Sequence, residues 1–564
     1  MNTDAIVITG NIHPIMIGAA GFFCYYKLGD FFPILRKRCH ENTTSYIGRL
    51  LMNIPFCKKI YQTKMDAIYD KSLQKIKEQL SQYPSILTIP EKKWSDREIM
   101  DLIDAYKSGT MKNVIDYHIS GTIYSNSLLV KETCEMPTNI FSYAFEASYL
   151  WNSLHQTEFN VGTLIEYQVV QMVGNMFGAN NDVTGTVTSG GTESLMCAMR
   201  AYRNYGMMER GHRPGESIII APDTVHAAVM KAGEAYNIKV ILIPTDIYGA
   251  IDIDVLIWTA QMHKYELVCI VGSAPCYVTG NIDPIYEMAC LAKELGCGFH
   301  VDCCLGGFVV NFLNIDTDFL KVNGVTSLSA DTHKNGLAPK GSSVLVTRKM
   351  DSGKYLMEYS IYTIPYWSGG IYGSIKDNGS TTSVPSLTAL VAMLANGQET
   401  YMYNAISIQN TVTEISNRIS KIDDFIVLNR YNINVIAFAM NPEKEYRPGF
   451  IYALAHEMNK RHIVMNNMRK QVVHFCVTLR FVSDMQAIDK FMGALLTSLE
   501  IVKRMNDDDV PFPGDSGMYC SLENALIPST SKTYGDWFEN LFFGGMGARD
   551  AIRQHFMALL KVYQ

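Results

Sequence analysis

The sequence predicts an α/β protein with a large, mostly parallel sheet and a smaller carboxy-terminal α/β domain. Short β-branched runs at 217–220, 239–243, 266–271, 298–301 and 344–347 alternate with helical segments, as in a parallel sheet covered by helices on both faces. After Pro385 a long helical pattern gives way to a second alternation, with strands at 433–440 and 474–478. With 564 residues, 48% of them hydrophobic and 18% charged, the chain is too long for one ordinary core and too apolar for extended disorder. The expected divisions are an amino-terminal segment (1–60), a helical segment (61–160), a large domain (161–385), a small domain (386–506) and a linker and tail (507–564).

Taken in order, residues 5–26 form a run free of Asp, Glu, Lys and Arg, long enough to span a bilayer. Lys27, Arg36, Lys37 and Arg38 follow it and only Asp4 precedes it, so a spanning run would leave the rest of the chain on the cytosolic side. Asn11, His13 and Pro14 interrupt the run, and the alternative is an apolar packing segment. From 61 to 80, Met65, Ile68, Tyr69, Leu73, Ile76 and Leu80 recur at helical spacing. A further helix is expected over 94–106, with Ser95 as N-cap and Glu98 as its capping-box partner. Pro511 and Pro513, in an acidic stretch, mark the linker before the tail.

The formal charge of −6 offers no basic excess, which argues against a nucleic-acid partner and means that a phosphorylated ligand needs a local basic pocket. Thirteen cysteines, odd in number and without CxxC spacing, suit reduced thiols better than a disulfide scaffold, and no metal site is expected.

Three sites carry chemistry. Thr188-Ser189-Gly190-Gly191-Thr192-Glu193-Ser194 stands directly before a helical run, where bare backbone amides and the helix dipole favour an anion. It is neither a Walker loop nor a dinucleotide turn, and alone it is a common glycine turn. Asp302 closes an apolar strand, where a carboxylate is costly unless paired; isolated, it reads as an acid satisfied by backbone amides. Lys334 follows the apolar strand at 325–328, and a desolvated position there is expected to lower its pKa and keep the amine nucleophilic; alone, it reads as a snorkelling surface lysine. Together, in this order within one parallel-sheet domain, they supply what pyridoxal phosphate requires: a phosphate anchor, a partner for the ring nitrogen and an amine for the imine.

The segments SGGTES (189–194), HVDCCLGGF (300–308), SADTHK (329–334) and APKGSS (338–343) resemble the group II, fold-type I pyridoxal-phosphate enzymes and, within them, the sphingosine-1-phosphate lyases. The resemblance extends over roughly 121–499 and implies pyridoxal phosphate held as a Schiff base on Lys334. It further implies that Asp302 pairs with the ring nitrogen, His226 stacks on the ring, Gly191 and Thr192 bind the phosphate, and His333 flanks the lysine. Asn152 and His155 match the family's Asn-x-x-His segment, Tyr124 a tyrosine of its Gly-Thr-x-Tyr-Ser stretch, and Lys340 a lysine that holds the substrate phosphate. The implied reaction is retro-aldol cleavage of a sphingoid-base phosphate. The implied assembly is a homodimer whose turn at Gly379 and Ser380 reaches the neighbouring subunit's cofactor; the run at 5–26, with a substrate that carries a long apolar chain, predicts a tether to the endoplasmic reticulum membrane, the alternative being a cytoplasmic enzyme.

Two departures stand out. Gly379-Ser380-Thr381-Thr382-Ser383 lacks the family's Arg-Pro, and Tyr277-Val278-Thr279-Gly280 lacks the usual aromatic or histidine before its glycine. An amino-acid decarboxylase, or a catalytically weak paralogue with a regulatory role, are the competing readings.

Overall fold

The computed structural model describes Pro55, Lys59 and residues 83–505 apart from 85, 117–139, 156–157, 447–448, 469–470 and 483. The apolar run at 5–26, the helical pattern at 61–80, Tyr124 and the tail at 507–564 therefore lie outside the described residues. The chain divides into two compact units, Met1–Gln82 and Tyr83–Gln564, and the architecture below is that of the second.

Helix α1 (Asp96–Asp116) begins at the expected capping box: Ser95 N–H donates to Glu98 Oε2 (2.7 Å) and Glu98 N–H donates to Ser95 Oγ (3.3 Å). It continues past the expected end at 106. Helices α2 (Ile140–Ser148) and α3 (Asn160–Met176) lead into the sheet. Strand β1 (Thr184–Thr188) feeds α4 (Gly191–Glu209), and β2 (Ile218–Pro222), α5 (Ala228–Tyr236), β3 (Lys239–Ile243), α6 (Ile253–Met262), β4 (Leu267–Ser273), α7 (Ile285–Glu294) and β5 (Gly298–Asp302) follow. Strands β6 (Val325–Ala330) and β7 (Ser343–Thr347) complete a seven-stranded sheet of order β1-β7-β6-β5-β4-β2-β3.

Five of these strands, β3, β2, β4, β5 and β6, run parallel, as the alternating pattern predicts. Strand β7 is antiparallel to both neighbours. Its connection from β6, residues 331–342, contains no helix, and without a crossover helix the chain returns in the opposite direction. Every residue of β2, β4, β5 and β7 is buried, so helices cover both faces of the sheet. Ile219, Ile220, Ile270 and Val301 are wholly buried there, each contributing about 1.5–3 kcal/mol.

Strands β8 (Tyr362–Trp367) and β9 (Gly370–Ser374) form a separate hairpin. The long helix α8 (Val384–Ile419) bends at Gly397, whose φ of 65° favours glycine and where a Cβ would lie 2.6 Å from Lys93 N. Before the bend Leu387, Leu390 and Leu394 join the core beneath the large sheet. Beyond it Ile408, Val412 and Ile415 join a second core with Phe438, Leu454 and Leu495. That core belongs to β10 (Phe425–Val427), β11 (Val435–Met440), α9 (Phe450–Asn459), β12 (Asn466–Met468), β13 (Val472–Cys476) and α10 (Ala487–Arg504), whose antiparallel sheet has the order β10-β11-β13-β12. β13 starts two residues before the expected 474, because Val472 and Val473 pair with Ala439 and Phe438. Among the described residues no helix is long and apolar enough to cross a membrane.

Candidate active site

The carboxyl ends of β1, β5 and β6 meet at one cavity of about 300 Å³. It gathers Gly191, Thr192, His226, Asp302, His333 and Lys334, with Ser189, Cys304 and Asp331 also on its wall. Ligands sit at the carboxyl ends of parallel strands because the loops there are free of the sheet ladder.

The turn between β1 and α4 forms the first wall. Helix geometry leaves the first-turn amides of α4 without intrahelical carbonyls, and the side chain of Glu193 folds back to accept from Ser189 N–H and Oγ–H (both 2.7 Å). Gly191 is a steric requirement: a Cβ there would lie 2.8 Å from Cys304 Sγ and 2.9 Å from Asp331 Oδ1. A buried hydroxyl chain anchors the turn, with Thr188 Oγ1 2.7 Å from Ser194 Oγ and Ser194 Oγ 2.9 Å from Ser343 Oγ. Thr332 Oγ1–H donates to Ser342 Oγ (2.7 Å), and His333 N–H donates to Ser342 O (3.2 Å). Three segments distant in sequence are thus joined around one floor.

Asp302 ends β5 and is buried; its Oδ1 accepts from Cys304 N–H (3.0 Å) and Ser329 Oγ–H (3.4 Å). Lys334 lies in the turn after β6, with Nζ 2.9 Å from Oδ2 of the buried Asp331. Burial alone would lower the lysine, but Asp331, with Cys304 and Asp302 near it, outweighs burial and holds the amine above the ordinary lysine value. This corrects the expectation of a lowered pKa: the position is desolvated, yet it is also paired. His333 Nε2 stands 3.6 Å from the same carboxylate oxygen, and burial lowers its pKa despite Asp331. His226 accepts from Ala228 N–H at Nδ1 (3.1 Å), which assigns its ring proton to Nε2.

The remaining sequence-derived candidates stand off this cavity. Asn152 and His155 occupy a turn tied to the segment after Ser380: Asn152 bridges to Thr382, Ser153 N–H donates to Thr381 O (2.8 Å) and Ser383 N–H donates to Trp151 O (2.9 Å). A small cavity lined by Ser153, Lys376, Thr381 and Thr382 adjoins the main one and shares Ser189 and Glu193 with it. Lys340 is exposed on the 331–342 connection, and Gly379 and Ser380 do not line the Lys334 cavity. Tyr277 packs edge-on against His474 of β13, with ring centroids 4.6 Å apart. Asp331 was missed as a site residue in the sequence; its place three residues before Lys334, just past an apolar strand, was the available signal.

The residues fit pyridoxal phosphate. A lysine, a strand-end carboxylate and a helix amino terminus converge on a cavity of suitable size. Among the described residues Asp331 Oδ1 and His333 Nδ1 are buried without a hydrogen-bond partner, polar capacity that a bound polar group can use. Fold and site define a fold-type I enzyme of pyridoxal phosphate.

Comparison with known proteins agrees. The pyridoxal-dependent decarboxylase conserved domain matches residues 149–441. The chain is 31% identical to sphingosine-1-phosphate lyase of Drosophila melanogaster, over 85% of this chain and 84% of that protein. It is 30% identical to sphingosine-1-phosphate lyase 1 of Rattus norvegicus, over 80% and 73%. Among solved structures, a sphingosine-1-phosphate lyase of Burkholderia pseudomallei aligns with a TM-score of 0.58 at 24% identity, covering 75% of this chain and 96% of that one. Glutamate decarboxylase of Lactobacillus brevis aligns with a TM-score of 0.54 at 17% identity, covering 71% and 93%, a likeness of fold. The chain belongs to the pyridoxal-dependent decarboxylase family, in its sphingosine-1-phosphate lyase branch.

Proposed function

We propose that this chain cleaves sphingoid-base phosphates, such as sphingosine 1-phosphate, to phosphoethanolamine and a long-chain aldehyde. The observation that carries the reading is the convergence of Lys334, Asp302 and the α4 amino terminus on one cavity in a chain of this family.

Pyridoxal phosphate, when bound, supplies an electron sink for the carbon that bears the substrate amine, which weakens the adjacent carbon–carbon bond. Lys334 would hold the group through its amine. Asp302 would present its buried carboxylate to the ring nitrogen and would favour the protonated ring. The amides of Gly191 and Thr192 would hold the phosphate at the helix amino terminus, and His226, on the same cavity wall, would stack on the ring. Because Asp331 keeps a freed Lys334 protonated at neutral pH, Lys334 is suited to deliver a proton to the carbon left behind. Removal of the proton from the substrate hydroxyl then falls to His155, Tyr124 or the substrate phosphate. Asn152, His155 and Lys340 are assigned to the substrate's phosphorylated end. The enzyme works as a homodimer in which Gly379 and Ser380 reach the neighbouring site. Residues 5–26 anchor it in the endoplasmic reticulum membrane with the catalytic unit toward the cytosol.

The test is an absorbance scan of the purified protein, borohydride reduction and peptide mapping, then assays with sphingosine 1-phosphate and with a panel of amino acids. Cofactor fixed on Lys334 and release of long-chain aldehyde are expected. Carbon dioxide release from amino acids without lipid cleavage would overturn the substrate assignment, and a protein that takes up no cofactor would overturn the whole reading.

A further inference from the structure

Behind Asp302 runs a chain of buried polar groups that the reaction described above does not use. His300 and Asp302 lie two residues apart on β5 and so share one face of the sheet, and their register partners on β6 are Ser327 and Ser329. The side chains connect in sequence. Ser329 Oγ–H donates to Asp302 Oδ1 (3.4 Å), and His300 Nε2 lies 3.1 Å from Ser329 Oγ. His300 Nδ1 lies 2.7 Å from Ser327 Oγ, which lies 2.6 Å from the hydroxyl of Tyr202 on α4. That hydroxyl is 2.7 Å from Thr326 Oγ1, which itself accepts from Phe299 N–H (3.0 Å). His300, Ser327, Ser329 and Tyr202 are each 0% exposed, so their polar atoms depend on partners within the fold.

Proton counting gives this chain a direction. Burial holds the His300 pKa down at about 4 against the pull of Asp302, so at neutral pH its ring carries one N–H and one lone pair. The carboxylate of Asp302 can only accept. Ser329 must therefore donate to it, His300 must donate from Nε2 to Ser329, and Ser327 must donate to Nδ1. Tyr202 donates to Ser327, and Thr326 Oγ1, whose proton also has Phe299 O as an acceptor (3.3 Å), closes the far end, so from Tyr202 onward the protons point toward Asp302. The reverse polarity would place a hydroxyl lone pair against the carboxylate. Cys304 supports the same order, with its thiol donating to Ser329 Oγ (3.2 Å) and its N–H to Asp302 Oδ1. Gly298 makes the arrangement possible, because a Cβ there would overlap the Tyr202 ring.

We propose that His300 is a positioning residue for the cofactor: acting through Ser329, it fixes the donor on Asp302 Oδ1, holds that carboxylate oriented, and leaves the other carboxylate oxygen for the ring nitrogen of pyridoxal phosphate. This rests on the pyridoxal-phosphate reading of the site. The Tyr202 end of the chain ties the same carboxylate to α4, whose amino terminus holds the phosphate, so one buried network sets both ends of the cofactor.

The experiment measures the dissociation constant of pyridoxal phosphate, by absorbance titration of protein stripped of cofactor, for the full chain and three variants. His300→Gln keeps an N–H near the Nε2 position, His300→Asn keeps polarity only near Nδ1, and Ser329→Ala breaks the chain at its last link. Melting temperatures of the stripped proteins separate loss of fold from loss of binding. The expected result is affinity within about threefold of wild type for His300→Gln, and a loss of about tenfold or more for His300→Asn and Ser329→Ala, the scale of one hydrogen bond to a charged group. The absorption band of the cofactor should change in the same two variants. Equal affinity in all four proteins, or His300→Gln as weak as His300→Asn, would overturn the positioning role. Failure of the wild-type protein to bind pyridoxal phosphate would instead overturn the reading beneath it.

Discussion

Lys334 stands 2.9 Å from Asp331 Oδ2, and that contact reverses what burial alone would do to the amine. Lys334 and Asp302 are legible in the sequence because each follows the end of an apolar run, where a charged residue has no reason to be unless it is used. Asp331 carries the same signal, directly after β6, but its pairing with Lys334 depends on a turn that curls the lysine back over three residues, and sequence spacing alone does not show which way a side chain points. If Asp331 is what keeps the amine protonated, Asp331→Asn lets burial dominate. Capture of the cofactor by stripped enzyme, which needs the neutral amine, should then move to lower pH by about one to three units. Superimposable rate–pH profiles for variant and wild type would refute this. A second buried acid, Asp283, has its pKa pushed up to about 7 from 3.8 by burial, with Ser273 N–H donating to Oδ2 at 2.7 Å. Such a group takes up a proton on folding, so stability falls as pH rises between about 4 and 7 and stays lowered above. His300 and His474, held down at about 4 from 6.5 by burial, act in the opposite sense and cost stability as pH falls through 6.5. Asp283→Asn should therefore melt progressively higher than wild type as pH is raised from 5 to 8, by on the order of 2–4 kcal/mol in stability at pH 8. A difference that does not change with pH would show that Asp283 is already ionised in the fold.

The elements show where sequence patterns suffice and where they do not. Strand β3 falls where its β-branched run places it, and β2, β4 and β5 lie within two residues of expectation, because continuous burial makes an unbroken apolar run. Strand β1, Thr-Gly-Thr-Val-Thr, gives no clear strand signal: its Gly185 breaks the pattern, and the reason for the glycine is the Leu345 carbonyl that a Cβ would strike. The reversal of β7 was equally hidden, since strand direction belongs to the connection and not to the strand. Helix α4 was legible from its glycines, though not the reason for each. The Gly191 Cα packs beneath Cys304 and Asp331, so Gly191→Ala must move one of them. Overpacking of this kind costs about 1–3 kcal/mol. Both residues line the Lys334 cavity, so cofactor affinity should drop by about tenfold or more while far-ultraviolet circular dichroism stays unchanged. Wild-type affinity in this variant would mean that the turn relaxes freely and that the glycine serves some other end.

At the scale of the whole molecule, what remains unsatisfied is on the surface. The β8–β9 hairpin exposes Tyr362 (53%) and Trp367 (54%), and Ile361 beside it is 46% exposed. A two-stranded hairpin is at best marginally stable by itself, and large apolar side chains grouped on one are commonly covered. The hairpin leads directly to Gly379 and Ser380, which do not line the Lys334 cavity of their own chain. Residues on either side of that turn are fixed to the body of the protein: Asp377 pairs with Arg200 and Tyr236, and Thr381 and Ser383 bond to the Trp151 and Ser153 backbone. A turn so held keeps Gly379 and Ser380 off its own Lys334 cavity, but it can present itself to a neighbouring subunit, and a symmetric dimer would cover both hairpins at once. Each buried aromatic would contribute about 1.5–3 kcal/mol to such an interface. Wild-type protein should therefore sediment as a dimer, and Tyr362→Glu combined with Trp367→Glu should shift it to monomer with loss of lipid cleavage. If the double variant stays dimeric, the hairpin is not the interface. If it becomes monomeric and keeps full activity, each chain completes its own site and Gly379 and Ser380 have no part in a neighbour's.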